Sequence, residues 1–143
     1  MSASAIILLI GQLMTTEAAV VDEGRGIGRM RAALQVCADI GYDTRPERAS
    51  EIEQGSLGRA IKAGWHWGQW RMAFDDGVER EQADLDLSSE RDLPRDEMEI
   101  RLPQALVRVK ARCRDLAKRY PGVIENLDEG DRRAEAQVAG WMR

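Results

Sequence analysis

The stretch AGWHWGQWRMAF, residues 63–74, sets three of the chain's four tryptophans around its only histidine. Trp65, Trp67 and Trp70, with Phe74 closing the run, are candidate partner-binding residues. Tryptophan offers a large contact area at little rotamer entropy, which is why it concentrates at protein interfaces. His66 between them carries an imidazole, a side chain that could move a proton or bind a metal. Its company argues against both roles. A zinc centre needs about four converging Cys, His or acidic ligands, and here one histidine is joined only by Cys37 and Cys113, far apart in the chain. No GxSxG nucleophile motif is present. No catalytic residue, no metal ligand and no cofactor is expected.

Two carboxylate pairs keep an enzyme in view. Glu81–Asp84 and Glu125–Asp128 have ExxD spacing. They resemble one half of the magnesium-holding set of all-α nucleoside triphosphate pyrophosphohydrolases. The other half is an ExxE pair, and no two glutamates here stand three apart. Gly24, Gly26 and Gly28 precede a helical pattern beside Arg25 and Arg29, and amides at a helix start can hold a phosphate. The spacing is neither GxGxxG nor a P-loop, so residues 22–28 are read as a turn.

Charge is distributed unevenly behind a net value of −4. From Asp75 to Glu99 there are 11 acids against 3 arginines, a balance of −8. From Arg101 to Arg119 there are 7 bases against 1 acid, a balance of +6. Arg108, Lys110, Arg112, Arg114, Lys118 and Arg119 could follow a phosphate backbone, which makes Arg108, Arg112, Arg114, Lys118 and Arg119 the candidate nucleic-acid-binding residues. Neighbouring blocks of opposite sign could equally neutralise each other, or the acidic block could mimic a nucleic acid in a partner's basic groove.

The elements that must position these groups are helices. Residues 4–21 are apolar on more than one side, as suits a bundle centre or an oligomer interface. Over 27–41, Ile27, Met30, Leu34 and Cys37 recur at helical steps and Gly41 stops the run. Pro46 suits the first turn of a third helix, and Ser56 is placed to cap a separate helix through the tryptophans. Over 57–74, Leu57, Ile61, Trp65 and Met72 form one apolar row, and Ala63, Trp67, Trp70 and Phe74 a second. A short helix over 78–86 then precedes a loop. Leu102, Leu106, Val109, Cys113, Leu116 and Tyr120 give the clearest stripe, with Pro103 at its start and Pro121–Gly122 at its end. A last helix runs from Asp131 as its cap, with Ala134, Val138 and Trp141 on one side.

The expected fold is an all-α compact bundle of five or six helices. Residues 1–143 read as a single helical domain with an acidic, partly irregular segment at 75–100. The longest apolar run, residues 5–10, falls far short of the ~20 residues that cross a bilayer, and no basic segment precedes it as in a secretory leader. Both cysteines lie on apolar faces, where a free thiol acts as a small hydrophobe. A reducing, cytoplasmic setting without membrane attachment follows as the expectation.

WGQW at 67–70 and RRAEAQVAGWM at 132–142 resemble the opening and closing motifs of phage Q-type antitermination proteins. The stretch ALVRVKARCRDLAKRY is similar to what lies between them. The resemblance implies a regulatory role; the helix-turn-helix of those proteins has too little chain here to form. The expected function is therefore non-enzymatic. It is a helical regulatory protein that binds another protein, itself as a homo-oligomer, or both, with nucleic acid as the alternative partner.

Overall fold

A computed structural model describes the backbone from Ala3 to Arg143 and the side chains from Ala18 onward. The chain is an all-α bundle. Helix α1 spans Ala3–Asp39, α2 Pro46–Lys62, α3 Trp67–Asp84, α4 Ser88–Arg91, α5 Arg95–Arg119 and α6 Leu127–Trp141. Two short strands, β1 at Asp43–Thr44 and β2 at Ile124–Glu125, pair antiparallel. They clip the chain after α1 to the chain after α5, and Arg45 N–H extends the clip by donating to the Val123 carbonyl at 2.8 Å. The apolar circumference expected over residues 4–21 lies outside the described side chains up to Glu17.

The expected turn at residues 22–28 is not a turn. α1 runs through it without a break, and the glycines serve packing. A Cβ on Gly28 would lie 2.0 Å from the Phe74 carbonyl oxygen, and one on Gly77 would lie 2.1 Å from that of Arg25. Gly24 faces the Trp70 indole, whose nearest atoms lie 3.3 Å from where its Cβ would stand. α1 and α3 thus cross backbone against backbone, with Gly24, Gly28, Ala73 and Gly77 at the seam. Local propensity at Gly-x-Gly favours a turn, but the area gained at this crossing overrides it. A phosphate site at a helix start is excluded with the turn, because these amides are spent inside the helix.

The two strongest stripes of the sequence face each other. Ile27, Met30, Leu34 and Cys37 of α1 are buried, as are Leu102, Leu106, Val109, Cys113 and Leu116 of α5. Where the stripes meet, Cys37 and Cys113 form a disulfide with Cα atoms 5.9 Å apart. This corrects the expectation of free thiols. Each stripe places its cysteine at the contact, and no local motif announces a pair 76 residues apart. The reducing setting rested on free thiols and loses that ground. Among the described residues no helix is long and apolar enough to cross a membrane.

Several boundaries move for physical reasons. Pro46 does open α2, but residues 57–74 are not one helix. α2 ends at Lys62, Gly64 takes φ +90°, and α3 begins at Trp67. Ser56 is no cap: it is buried within α2, where its Oγ accepts a hydrogen bond from Trp70 Nε1 at 3.1 Å. The helix expected at 78–86 is the second half of α3. α5 begins at Arg95 after Pro94, so Pro103 lies inside it, where its ring supplies no N–H to the Glu99 carbonyl. α6 begins at Leu127 after Asn126, which takes a left-handed conformation at φ 53°. Asp131 is consequently one turn inside that helix.

Candidate functional site

The break between α2 and α3 separates the four aromatic candidates. Trp70 and Phe74 face α1 and are core residues, 3% and 6% exposed, with ring centroids 5.2 Å apart. They offer no surface to a partner. Trp65 is half-buried against the core. Trp67, at the first position of α3, is 61% exposed. Two other large apolar side chains of α2 and α3 are also in water, on separate faces: Ile61 on the last turn of α2 is 53% exposed and Met72 on α3 is 75% exposed. A Cβ on Gly64 or Gly68 would meet nothing within 4 Å, so no other part of the described chain covers the corner. The exposed His66 caps α3, its backbone N–H donating to Gln69 Oε1 at 3.1 Å. The residue between the tryptophans therefore shapes the turn that presents Trp67.

The charge blocks meet at Glu81. Residues 70, 74, 77 and 81 fall on one face of α3, so the helix that buries Trp70, Phe74 and Gly77 also buries Glu81. Its carboxylate accepts from Arg29 of α1 at 3.0 Å and from Arg112 of α5 at 2.7 Å. Asp84 takes the same Arg29 guanidinium at 3.2 Å, and Asp115 takes Arg112 at 2.6 Å. Burial opposes ionisation of Arg29, yet hydrogen bonds to Asp84 and Glu81 leave its pKa above the ordinary value. Arg114 pairs with Asp131 at 2.5 Å and Arg119 with Asp115 at 3.3 Å, while Lys110 is bonded to Glu135. Of the five nucleic-acid candidates, three thus hold carboxylates of their own chain. Only Arg108 and Lys118 lack an ion pair among the described residues.

Asp131 also accepts a hydrogen bond from the buried Tyr42 hydroxyl. Burial pushes the Asp131 carboxyl up, but the bonds from Tyr42 and Arg114 outweigh it and leave its pKa below the ordinary value. Burial and the same bond push the Tyr42 phenol well above 10.0. Sequence reading did not find this pair. Its signal was the aromatic residue at the end of the α1 stripe and an aspartate on the α6 turn that faces it.

The two ExxD pairs are not brought together. Glu125 is held by Arg45 at 2.5 Å and Glu81 by its two arginines. Among the described residues no three His, Cys, Asp or Glu side chains are grouped to hold a metal. A cleft of about 390 Å³ opens where the ends of α1, α3 and α6 meet α4. Ile40, Leu85, Leu87 and Trp141 line it, and Arg91 lies over the Trp141 ring at 4.1 Å. Asp86 and Ser88 line it too, and there the Asp86 carboxylate accepts from the Ser88 hydroxyl at 2.5 Å and from the Ser88 backbone N–H at 2.9 Å, a turn that opens α4. Sequence reading also missed Ile100 and Val107 on α5, each 66% exposed. Their signal was apolar side chains on the helix face opposite the strong stripe. No family model, curated protein or solved structure matches this chain.

Proposed function

We propose that this chain is a non-enzymatic binding protein that acts through protein–protein contacts, with the α2–α3 corner that exposes Trp67 as its contact element for another protein. Self-association belongs to the same reading. The supporting observation is Trp67, 61% exposed at a turn left open by Gly64 and Gly68. Leaving an indole in water forgoes up to ~3 kcal/mol of burial, and tryptophan is enriched among the residues that carry most of the energy at interfaces. The alternative, a polyanion on α5, has less support because Arg112, Arg114 and Arg119 are already engaged by Glu81, Asp131 and Asp115. The test is capture from a native lysate, with and without nuclease, by the wild-type chain and by Trp67→Ala. The expected result is a protein retained by the wild type regardless of nuclease and lost with Trp67→Ala at an unchanged melting temperature. Equal capture by both chains defeats the proposal.

A further inference from the structure

Helix α5 is apolar on two opposite faces, and only one is used in the fold. Leu102, Leu106, Val109, Cys113 and Leu116 are buried against the bundle. On the other side Ile100 and Val107 are each 66% exposed, with the Pro103 ring and the Ala111 methyl between and beyond them, also in water. These positions recur at steps of three or four and make one stripe along the helix. Of the charges beside it, Asp96 and Glu97 in the first turn, Arg108 about three turns later and Arg101 between them are exposed and make no ion pair among the described residues. Glu99 is held by Arg95, Lys110 by Glu135 and Arg112 by Glu81.

We infer that this face of α5 pairs antiparallel with the same face of a second copy of the chain. A two-fold axis midway between Ile100 and Val107 sets each Ile100 against Val107 of the second copy. It also brings the turn carrying Asp96 and Glu97 alongside the turn carrying Arg108 of that copy. A parallel pairing would set acid beside acid and base beside base, so charge selects the orientation. The two-fold makes the patch self-complementary, as a closed dimer requires. A single-helix seam buries less than the ~1,200 Å² of a standard stable interface, so the dimer is reversible and its formation falls with added salt. This inference deepens the self-association part of the proposed function and does not depend on the Trp67 corner.

Sedimentation velocity over a concentration series, at low and high salt, tests it on the full chain. The wild type is expected to form a dimer that dissociates on dilution and weakens in salt. Val107→Glu, at a position in water in the monomer, should raise the dissociation constant at least tenfold with an unchanged circular dichroism spectrum. Glu97→Arg and Arg108→Glu should each weaken the dimer, and together restore it, because the exchanged charges meet again across the two-fold. The charge pair decides the matter should Val107→Glu disturb folding. A wild type that stays monomeric throughout, or an oligomer indifferent to these changes, overturns the seam. Loss of the dimer with Trp67→Ala but not with Val107→Glu would place self-association at the α2–α3 corner and overturn it equally.

Discussion

Replacing glycine by alanine should have opposite signs at different glycines of this one molecule. In a helix the change is worth about 1 kcal/mol of stability, because alanine has less backbone freedom to lose. Gly58, inside α2, realises that gain in full, since its new methyl would meet nothing within 4 Å. At Gly77 the methyl would stand 2.1 Å from the Arg25 carbonyl oxygen, and at Gly28 it would stand 2.0 Å from that of Phe74. Carbon and oxygen settle at about 3.3 Å, so α1 and α3 must move apart by about 1 Å. Both partners are helix backbone, and no rotamer change relieves the clash.

A gap of that size forfeits a quarter to a half of the dispersion energy along the crossing. Overpacking of this kind costs about 3 kcal/mol at the upper end of the usual range. Subtracting the helix-propensity gain leaves Gly77→Ala and Gly28→Ala about 2 kcal/mol less stable than the wild type, against about 1 kcal/mol more stable for Gly58→Ala. At about 4 °C per kcal/mol this is a drop of about 8 °C for each seam variant and a rise of about 4 °C for the control. Urea unfolding with the disulfide intact measures all three, with the slope expected to stay constant. If Gly77→Ala and Gly28→Ala stabilise the chain as Gly58→Ala does, α1 and α3 do not cross through these glycines and the account of the fold fails with them.

The remaining predictions concern the cross-link and the Tyr42 pair. The Cys37–Cys113 bond closes a loop of 76 residues, so its removal should cost about 4 kcal/mol. Urea midpoints with and without reductant read this directly, and two free thiols in the native chain would contradict it. Tyr42 has a folded pKa raised above 10.0, so its contribution is intact below pH ~10 and is lost as pH rises through the folded value. Asp131 is depressed below 3.8, so its contribution holds above that pH and is lost on acidification through the folded value. Tyr42→Phe should flatten the alkaline loss, leaving the smaller share of the half-buried Tyr120. A Tyr42→Phe profile that falls as steeply as the wild type between pH 10 and 12 would remove the pair from the account.

The helix pattern was legible wherever one face is apolar and the other polar. The second half of α1 and five of the six stripe residues of α5 were found, all but the half-buried Tyr120 just past its end, because 3.6-residue periodicity is the direct imprint of one-sided burial. What failed were local rules overridden by distant contacts. Glycines at 24, 26 and 28 read as a turn, since nothing within that segment reveals that α3 crosses it. The tryptophan run read as one helix because its apolar rows continue across residues 63–66, although Gly64 in the same run takes the positive φ that ends α2. Pro103 and Asp131 carry the usual chemistry of helix starts, and both stand inside helices that began earlier. Two-residue strands leave no periodicity to read. Among the site candidates, the sequence singled out the tryptophan run but could not divide it. Only packing on α1 separates the buried Trp70 and Phe74 from the exposed Trp67.

The charge blocks invited a reading of surface recognition, and the fold gives much of that charge a different task. Glu81 is 3% exposed and bonded by arginines of two other helices. A buried carboxylate between two guanidinium groups adds little net stability, since desolvation offsets most of its attraction. It does penalise alternatives heavily. Sliding α3 by one turn along α1 would leave the buried Glu81 without its arginines, a heavy cost for an unpaired carboxylate inside the bundle. Small residues at a helix crossing permit close approach but discriminate poorly between registers, because glycine and alanine offer no distinctive shape. The acid supplies what they lack: the glycines let α1 and α3 touch, and Glu81 fixes where. With carboxylates already holding Arg112, Arg114 and Arg119 in place, the contacts we propose fall to exposed apolar side chains, Trp67 at one corner and Ile100 and Val107 on the outer face of α5.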